Sequence, residues 1–156
     1  MKEEYIAFYP SEIGWIKISA TEEGVRSLYF VEDDEVFEVE PHPCLKECLA
    51  QLDEYFRGKR HSFSLKLLPE GTDFQQKVWE QLLKIPYGTT ASYQDIAAAL
   101  GDKNAVRAVG NANGKNPISI IVPCHRIIGR NGNLIGYGGG LWRKEWLLKH
   151  EKSIMI

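Results

Sequence analysis

Three short runs near the start of the chain carry frequent β-branched and aromatic residues in loose alternation with polar ones: Tyr5 to Tyr9, Trp15 to Ile18 after Gly14, and Val25 to Val31 after Gly24. They predict three strands joined by turns. The period then lengthens. Leu45, Cys48, Leu49, Leu52 and Phe56 share one broad face of a helix expected over about 45–56, with Gly58 near its end. Three strands and a helix make a small α/β unit, and the mixed-charge stretch 58–70 reads as the connection leading out of it.

Helical spacing dominates the second half of the chain. Thr72 is placed to cap a helix over about 73–84, with Phe74, Val78, Trp79 and Leu82 as its apolar stripe and Pro86 and Gly88 beyond its end. Ser92 with Asp95 forms a capping box for a helix over 93–100, closed by Gly101. Asn104 is expected to cap a further helix over 105–113, and the tight connection gives the pair helix-turn-helix spacing. Ile118 to Val122 reads as a strand. Ile127 and Ile128, the Asn131-Gly132 turn signal, and Leu134 with Ile135 predict a hairpin, the wing beside the helix pair. Gly138 to Gly140 form a permissive loop before a last helix from 141 or 142 to about 151. The expected division is 1–68 and 69–156.

With 156 residues, 44% of them hydrophobic, the chain can bury a core without metals or disulfides. No segment reaches membrane-spanning length, and the opening Met1-Lys2-Glu3-Glu4 lacks the apolar run of a signal peptide. Three cysteines, Cys44, Cys48 and Cys124, fit a reducing compartment. A cytoplasmic protein without membrane association is expected. The net charge of −2 conceals an asymmetry: residues 1–70 hold 8 Lys/Arg against 15 Asp/Glu, and residues 71–156 hold 11 against 6. The second half can therefore meet a polyanion while the first keeps the molecule soluble.

Cys44 and Cys48, four apart on one helix with no second ligand pair nearby, read as small buried hydrophobes, and no metal site is expected. Cys124 differs, because it sits in Ile121-Val122-Pro123-Cys124-His125-Arg126-Ile127-Ile128 with an imidazole and a guanidinium as neighbours. A nucleophilic thiol needs a base and a group that orients the base. On a regular strand Cys124 and His125 would face opposite ways, so a bend after Pro123 or a bridging water is required. Glu151, His150 and Asp95 are the available orienting groups. On the second helix of the pair, Arg107 stands beside the small Ala105 and Ala108, which suit close approach to a backbone or groove.

Pro123-Cys124-His125-Arg126 joins Gly71-Thr72-Asp73-Phe74-Gln75, Val78-Trp79, Ile85-Pro86-Tyr87-Gly88, Ser92-Tyr93, Arg107-Ala108-Val109-Gly110, Asn116-Pro117, Gly139-Gly140-Leu141 and Lys144-Glu145-Trp146-Leu147-Leu148 with Glu151. Over residues 71–151 this set strongly resembles the O6-alkylguanine-DNA alkyltransferase family, also called methylated-DNA–protein-cysteine methyltransferases. The resemblance implies a small, three-layered, ribonuclease-H-like α/β domain followed by a mostly helical, winged helix-turn-helix-like domain. It implies irreversible transfer of a methyl or small alkyl group from O6-alkylguanine, and secondarily O4-alkylthymine, to Cys124, each molecule acting once.

By the same resemblance His125 takes the thiol proton through a water, Glu151 orients His125, and Asn116 organises the turn carrying the nucleophile. Tyr93 assists the substrate base and crowds a phosphate, while Arg107 fills the space the extruded base leaves. The DNA-contacting set is Tyr93, Ala105, Arg107, Ala108 and Arg126. Tyr137, Gly138 and Ile127 belong to the base pocket, Gly138 standing where several relatives carry serine or arginine. The expected partner is duplex DNA containing O6-alkylguanine, bound by a monomer with little sequence preference and no cofactor. A damage-binding protein that does not repair is the main rival, and such proteins lack the acceptor cysteine that this chain retains. A winged-helix transcription factor would carry more base-reading side chains on its second helix, and a cysteine hydrolase would turn over.

Overall fold

The computed structural model describes residues 3–152; Met1, Lys2 and residues 153–156, included in the expected domain spans, lie outside them. The chain divides into two compact units between Glu70 and Gly71.

In the first unit, β1 (Tyr5–Ser11), β2 (Gly14–Thr21) and β3 (Gly24–Val31) form an antiparallel sheet in sequence order, with Ala7 opposite Ile18 and Ile18 opposite Leu28. Ala7, Ile16, Ile18 and Leu28 are completely buried. Helix α1 (Pro43–Phe56), packed against β1 and β2, buries Leu45, Cys48, Leu52 and Phe56. It begins two residues before the expected start, because Pro43 is preset for the first turn and His42 Nδ1 accepts the Cys44 N–H at 3.1 Å. The segment after β3 brings Phe37 edge-on to Phe8 at 5.0 Å.

The stretch read as a free connection is docked to the sheet. Val25 N–H donates to Lys66 O at 2.9 Å and Leu68 N–H to Val25 O at 2.7 Å, a parallel bridge on the β3 edge. A Cβ at Gly24 would lie 2.7 Å from Lys66 O, so this approach requires glycine.

In the second unit, α2 (Asp73–Leu82) starts in the expected way, with Thr72 and Gln75 exchanging capping-box bonds. It buries Val78, Trp79 and Leu82, while Phe74 is 36% exposed and outside the core stripe. Trp79 Nε1–H donates to Ala112 O at 2.8 Å, fastening α2 to α4 (Val106–Gly114). Helix α3 (Tyr93–Ala99) begins at the Ser92–Asp95 box and packs on α4. Gly101, at φ +81°, turns the chain between them. Asn104 does not cap α4. Its own N–H goes to Asp102 Oδ1 at 3.0 Å, and Ala105 is the cap residue without a side-chain bond. Helix α5 is Leu141–His150.

Three expected strands, 118–122 and the two arms of the hairpin, are absent among the described residues. Residues 118–122 form buried turns, with Ile120 at φ +71°, a left-handed conformation costly for a β-branched residue. The Asn131-Gly132 turn closes, since Gly129 N–H donates to Asn133 O at 2.7 Å, but no ladder grows from it. The backbone groups of a longer hairpin are used elsewhere: Ala91 pairs across Ile127, and Lys144 Nζ takes the carbonyls of Ile135 and Gly136.

Candidate active site

Pro123 leads into a 3-10 turn, Cys124–Arg126, rather than a strand. Cys124 N–H donates to Val122 O at 2.8 Å, Arg126 N–H to Pro123 O at 3.0 Å and Ile127 N–H to Cys124 O at 3.3 Å. The turn supplies the bend that a Cys-His pair needs. Asn116 secures the segment before it: Nδ2–H donates to Val122 O at 2.8 Å, and Oδ1 accepts the Ile118 N–H at 3.0 Å. One amide thus ties both ends of the strained 118–122 loop.

Of the three possible orienting groups, Glu151 is the one that meets His125. His125 Nε2–H donates to Glu151 Oε2 at 2.8 Å, with both side chains excluded from solvent. Asp95 is occupied at the start of α3, and the His150 ring stacks on Trp146 at 4.8 Å. The Glu151 carboxyl is held well below its usual range: burial raises it, but hydrogen bonds and charge from His125 and Arg126 prevail. As an anion it accepts, which places the imidazole proton on Nε2 and the lone pair on Nδ1. That Nδ1 is buried and meets no hydrogen-bonding partner among the described residues.

Cys124 is 6% exposed at the wall of a cavity of about 300 Å³. Tyr93, Asn116, Ser119, Tyr137 and Gly138 share that wall. Burial pushes the Cys124 thiol up, against the opposing pull of the Asn116 side chain and the Lys144 ammonium. The resting sulfur is a thiol and needs a base to become a nucleophile. Burial also raises the Tyr93 and Tyr137 phenols, so both remain hydroxyls able to donate hydrogen bonds at neutral pH.

Lys144 escaped the sequence reading as a site residue. Its side chain is completely buried, burial lowers its pKa to about 8, and Cys124 pulls in the opposite direction. Among the described residues no carboxylate forms an ion pair with it; its Nζ rests on the carbonyls of Ile135 and Gly136, next to the cavity wall. The signal was in its spacing. Lys144, Leu147, Leu148 and Glu151 fall at i, i+3, i+4 and i+7, the inward stripe of α5.

Arg126, expected among the DNA contacts, is turned inward: it is 7% exposed, with Nε 2.8 Å from Glu151 Oε1 and Nη2 3.0 Å from Oε2. The Ile127 side chain is wholly buried in the core; the base-reading role expected there is one for the backbone near Cys124 and Ile127. Arg107 and Ala108 are exposed on α4, and Ala105 is partly exposed at its cap. No helix among the described residues is long and apolar enough to cross a membrane, and no cluster there has the makings of a metal site.

Fold and site together define a helix-turn-helix protein built around a buried cysteine beside an imidazole–carboxylate pair. Residues 5–69 match the ribonuclease-like domain of 6-O-methylguanine DNA methyltransferase, and residues 73–153 match the DNA binding domain of the same family. The chain belongs to this family. It is 48% identical to a methylated-DNA–protein-cysteine methyltransferase of Methanosarcina acetivorans over 154 residues, which cover 96% of this chain and 99% of the relative. A constitutive methylated-DNA–protein-cysteine methyltransferase of Bacillus subtilis is 44% identical, with 95% of each chain covered. Among solved structures, the O6-methylguanine methyltransferase of Mycobacterium tuberculosis superposes with a TM-score of 0.86 at 44% identity, over 97% of this chain and 94% of that one. A structure of the M. tuberculosis protein in complex with DNA gives a TM-score of 0.84 at 46% identity, over 94% and 91%.

Proposed function

We propose that the protein repairs DNA by moving the alkyl group of O6-alkylguanine onto Cys124, irreversibly and once per molecule. The observation that carries this reading is the Cys124 thiol at the wall of a cavity, with His125 beside it in the chain and His125 Nε2 committed to Glu151 at 2.8 Å. Proton loss from Sγ to His125 Nδ1 through a water leaves a thiolate. The sulfur attacks the alkyl carbon as the carbon–O6 bond breaks, and the electron pair departs on the guanine oxygen. Donors on that side, including the Tyr93 hydroxyl, stabilise the charge as it develops. The thioether product has no acyl bond for water to cleave, so the protein does not turn over.

A stacked base hides its O6 substituent, so the nucleotide must leave the duplex at a cost of a few kcal/mol. The exposed Arg107 on α4, flanked by small residues, supports a role in filling the vacated space. The excess of basic residues after position 70 supports binding led by phosphates with little base reading. Retention of Cys124 argues against a binder that does not repair.

Arg107→Ala tests the extrusion role. Transfer from duplex DNA is expected to fall by roughly tenfold to a hundredfold, the equivalent of a few kcal/mol of lost support for the flipped state. Transfer from the free alkylated base, which needs no extrusion, should change far less. Equal losses on the two substrates, read as second-order rate constants, would reject the role.

A further inference from the structure

The guanidinium of Arg126 and the imidazole of His125 share one buried carboxylate. Arg126 Nε–H and Nη2–H donate to Glu151 Oε1 and Oε2 at 2.8 and 3.0 Å, a two-point grip, and His125 Nε2–H reaches Oε2 at 2.8 Å. The arginine is itself fixed: Nη1–H donates to Ile85 O at 2.7 Å, and its Cζ lies 5.7 Å from the centre of the Tyr87 ring. A buried imidazole facing an otherwise unpaired carboxylate draws a proton and rests as imidazolium, and an imidazolium cannot act as a base. With Arg126 present, its fixed cation already balances the anion it grips. A proton on His125 would then add further positive charge, with the Lys144 ammonium also nearby, where solvent is excluded.

We propose that Arg126 is a positioning residue for alkyl transfer, holding the charge of Glu151 so that the imidazole of His125 rests neutral and ready to take the thiol proton. The inference rests on the reading of Cys124 as alkyl acceptor. The step balances: Sγ–H loses its proton, His125 Nδ1 gains it, and Arg126 and Glu151 keep their charges throughout. The charged groups acting on the imidazole are Arg126 from its own turn, and Lys144 and Glu151 from α5 and its end; Tyr87, in the loop before α3, faces the guanidinium. On α2, also packed against the turn, Asp73, Lys77 and Glu80 point to solvent. Burial, Arg126 and Lys144 all favour the neutral ring, and Glu151 alone opposes them.

Nitrogen NMR of His125 in the intact protein reads the charge directly. A neutral ring protonated on Nε2 is expected at pH 7, and an imidazolium there would overturn the proposal whatever any variant does. In Arg126→Met the ring should stay protonated to higher pH. Alkyl transfer should then fall at least tenfold at pH 7 and recover as the pH is raised, whereas Arg126→Lys, which keeps a cation there, should restore most of the neutral-pH rate. A loss in Arg126→Met of equal size at every pH, or no shift in its His125 titration, would contradict the proposal. If the wild-type protein took up no alkyl group, the repair reading would fail while the His125 charge state remained measurable.

Discussion

Glu151→Gln is expected to remove about 3–5 kcal/mol of folding stability, because it breaks a buried ion pair from one side and leaves the Arg126 guanidinium uncompensated. Transfer should be lost with it, since the neutral amide cannot stabilise the imidazolium formed when His125 accepts a proton. The same carboxylate predicts an acid sensitivity. Its folded pKa is depressed below the unfolded value of about 4.3, so its stabilisation is complete above that pH and is lost as pH falls toward the folded value. Urea unfolding at pH 7 and pH 3 checks both statements. The gap between wild type and Glu151→Gln should be wide at pH 7 and measurably narrower at pH 3, closing further as the pH approaches the folded value; a gap independent of pH would mean that the charge is not what matters.

Lys144→Met should slow alkyl transfer by about tenfold or more while the protein remains folded. The ammonium is the cation that lowers the Cys124 thiol, and removing a nearby opposite charge typically moves a pKa by about one unit or more. Methionine also leaves the Ile135 and Gly136 carbonyls without their donor, at about 1–3 kcal/mol for each buried group left unsatisfied. The rate of thiol capture by a small alkylating reagent, measured against pH, separates the two effects. The midpoint for Cys124 should move upward in Lys144→Met, and an unchanged midpoint would confine the lysine to holding the loop.

Local chemistry made much of the helical half readable. Thr72 with Gln75 and Ser92 with Asp95 are short-range boxes whose partners lie three residues apart, so their bonds can be read from sequence alone. The helix-turn-helix spacing and the Cys124–His125–Glu151 set came from type and pattern, though the choice of Glu151 over His150 or Asp95 came from resemblance. What failed depended on distant competitors. The Asn131-Gly132 signal made its turn, but the strands that should flank it lost their backbone groups to Ala91 and Lys144. The resemblance sets Arg126 among the DNA contacts, and nothing nearby in sequence reveals that Glu151, 25 residues on, takes it inward. Lys144 was legible in principle from the stripe it shares with Leu147, Leu148 and Glu151, but a lysine on an apolar stripe is ordinarily read as reaching for solvent.

The central claim is that one sulfur accepts the alkyl group and keeps it. Intact-protein mass spectrometry after mixing with one equivalent of duplex DNA containing O6-methylguanine reads this directly, with peptide mapping to locate the change. A single methyl replacing one hydrogen, on Cys124, persisting on dilution and absent in Cys124→Ala, is the predicted result. An unchanged protein mass while the DNA is bound, a methyl group on another residue, or repair of more than one lesion per molecule would contradict the account.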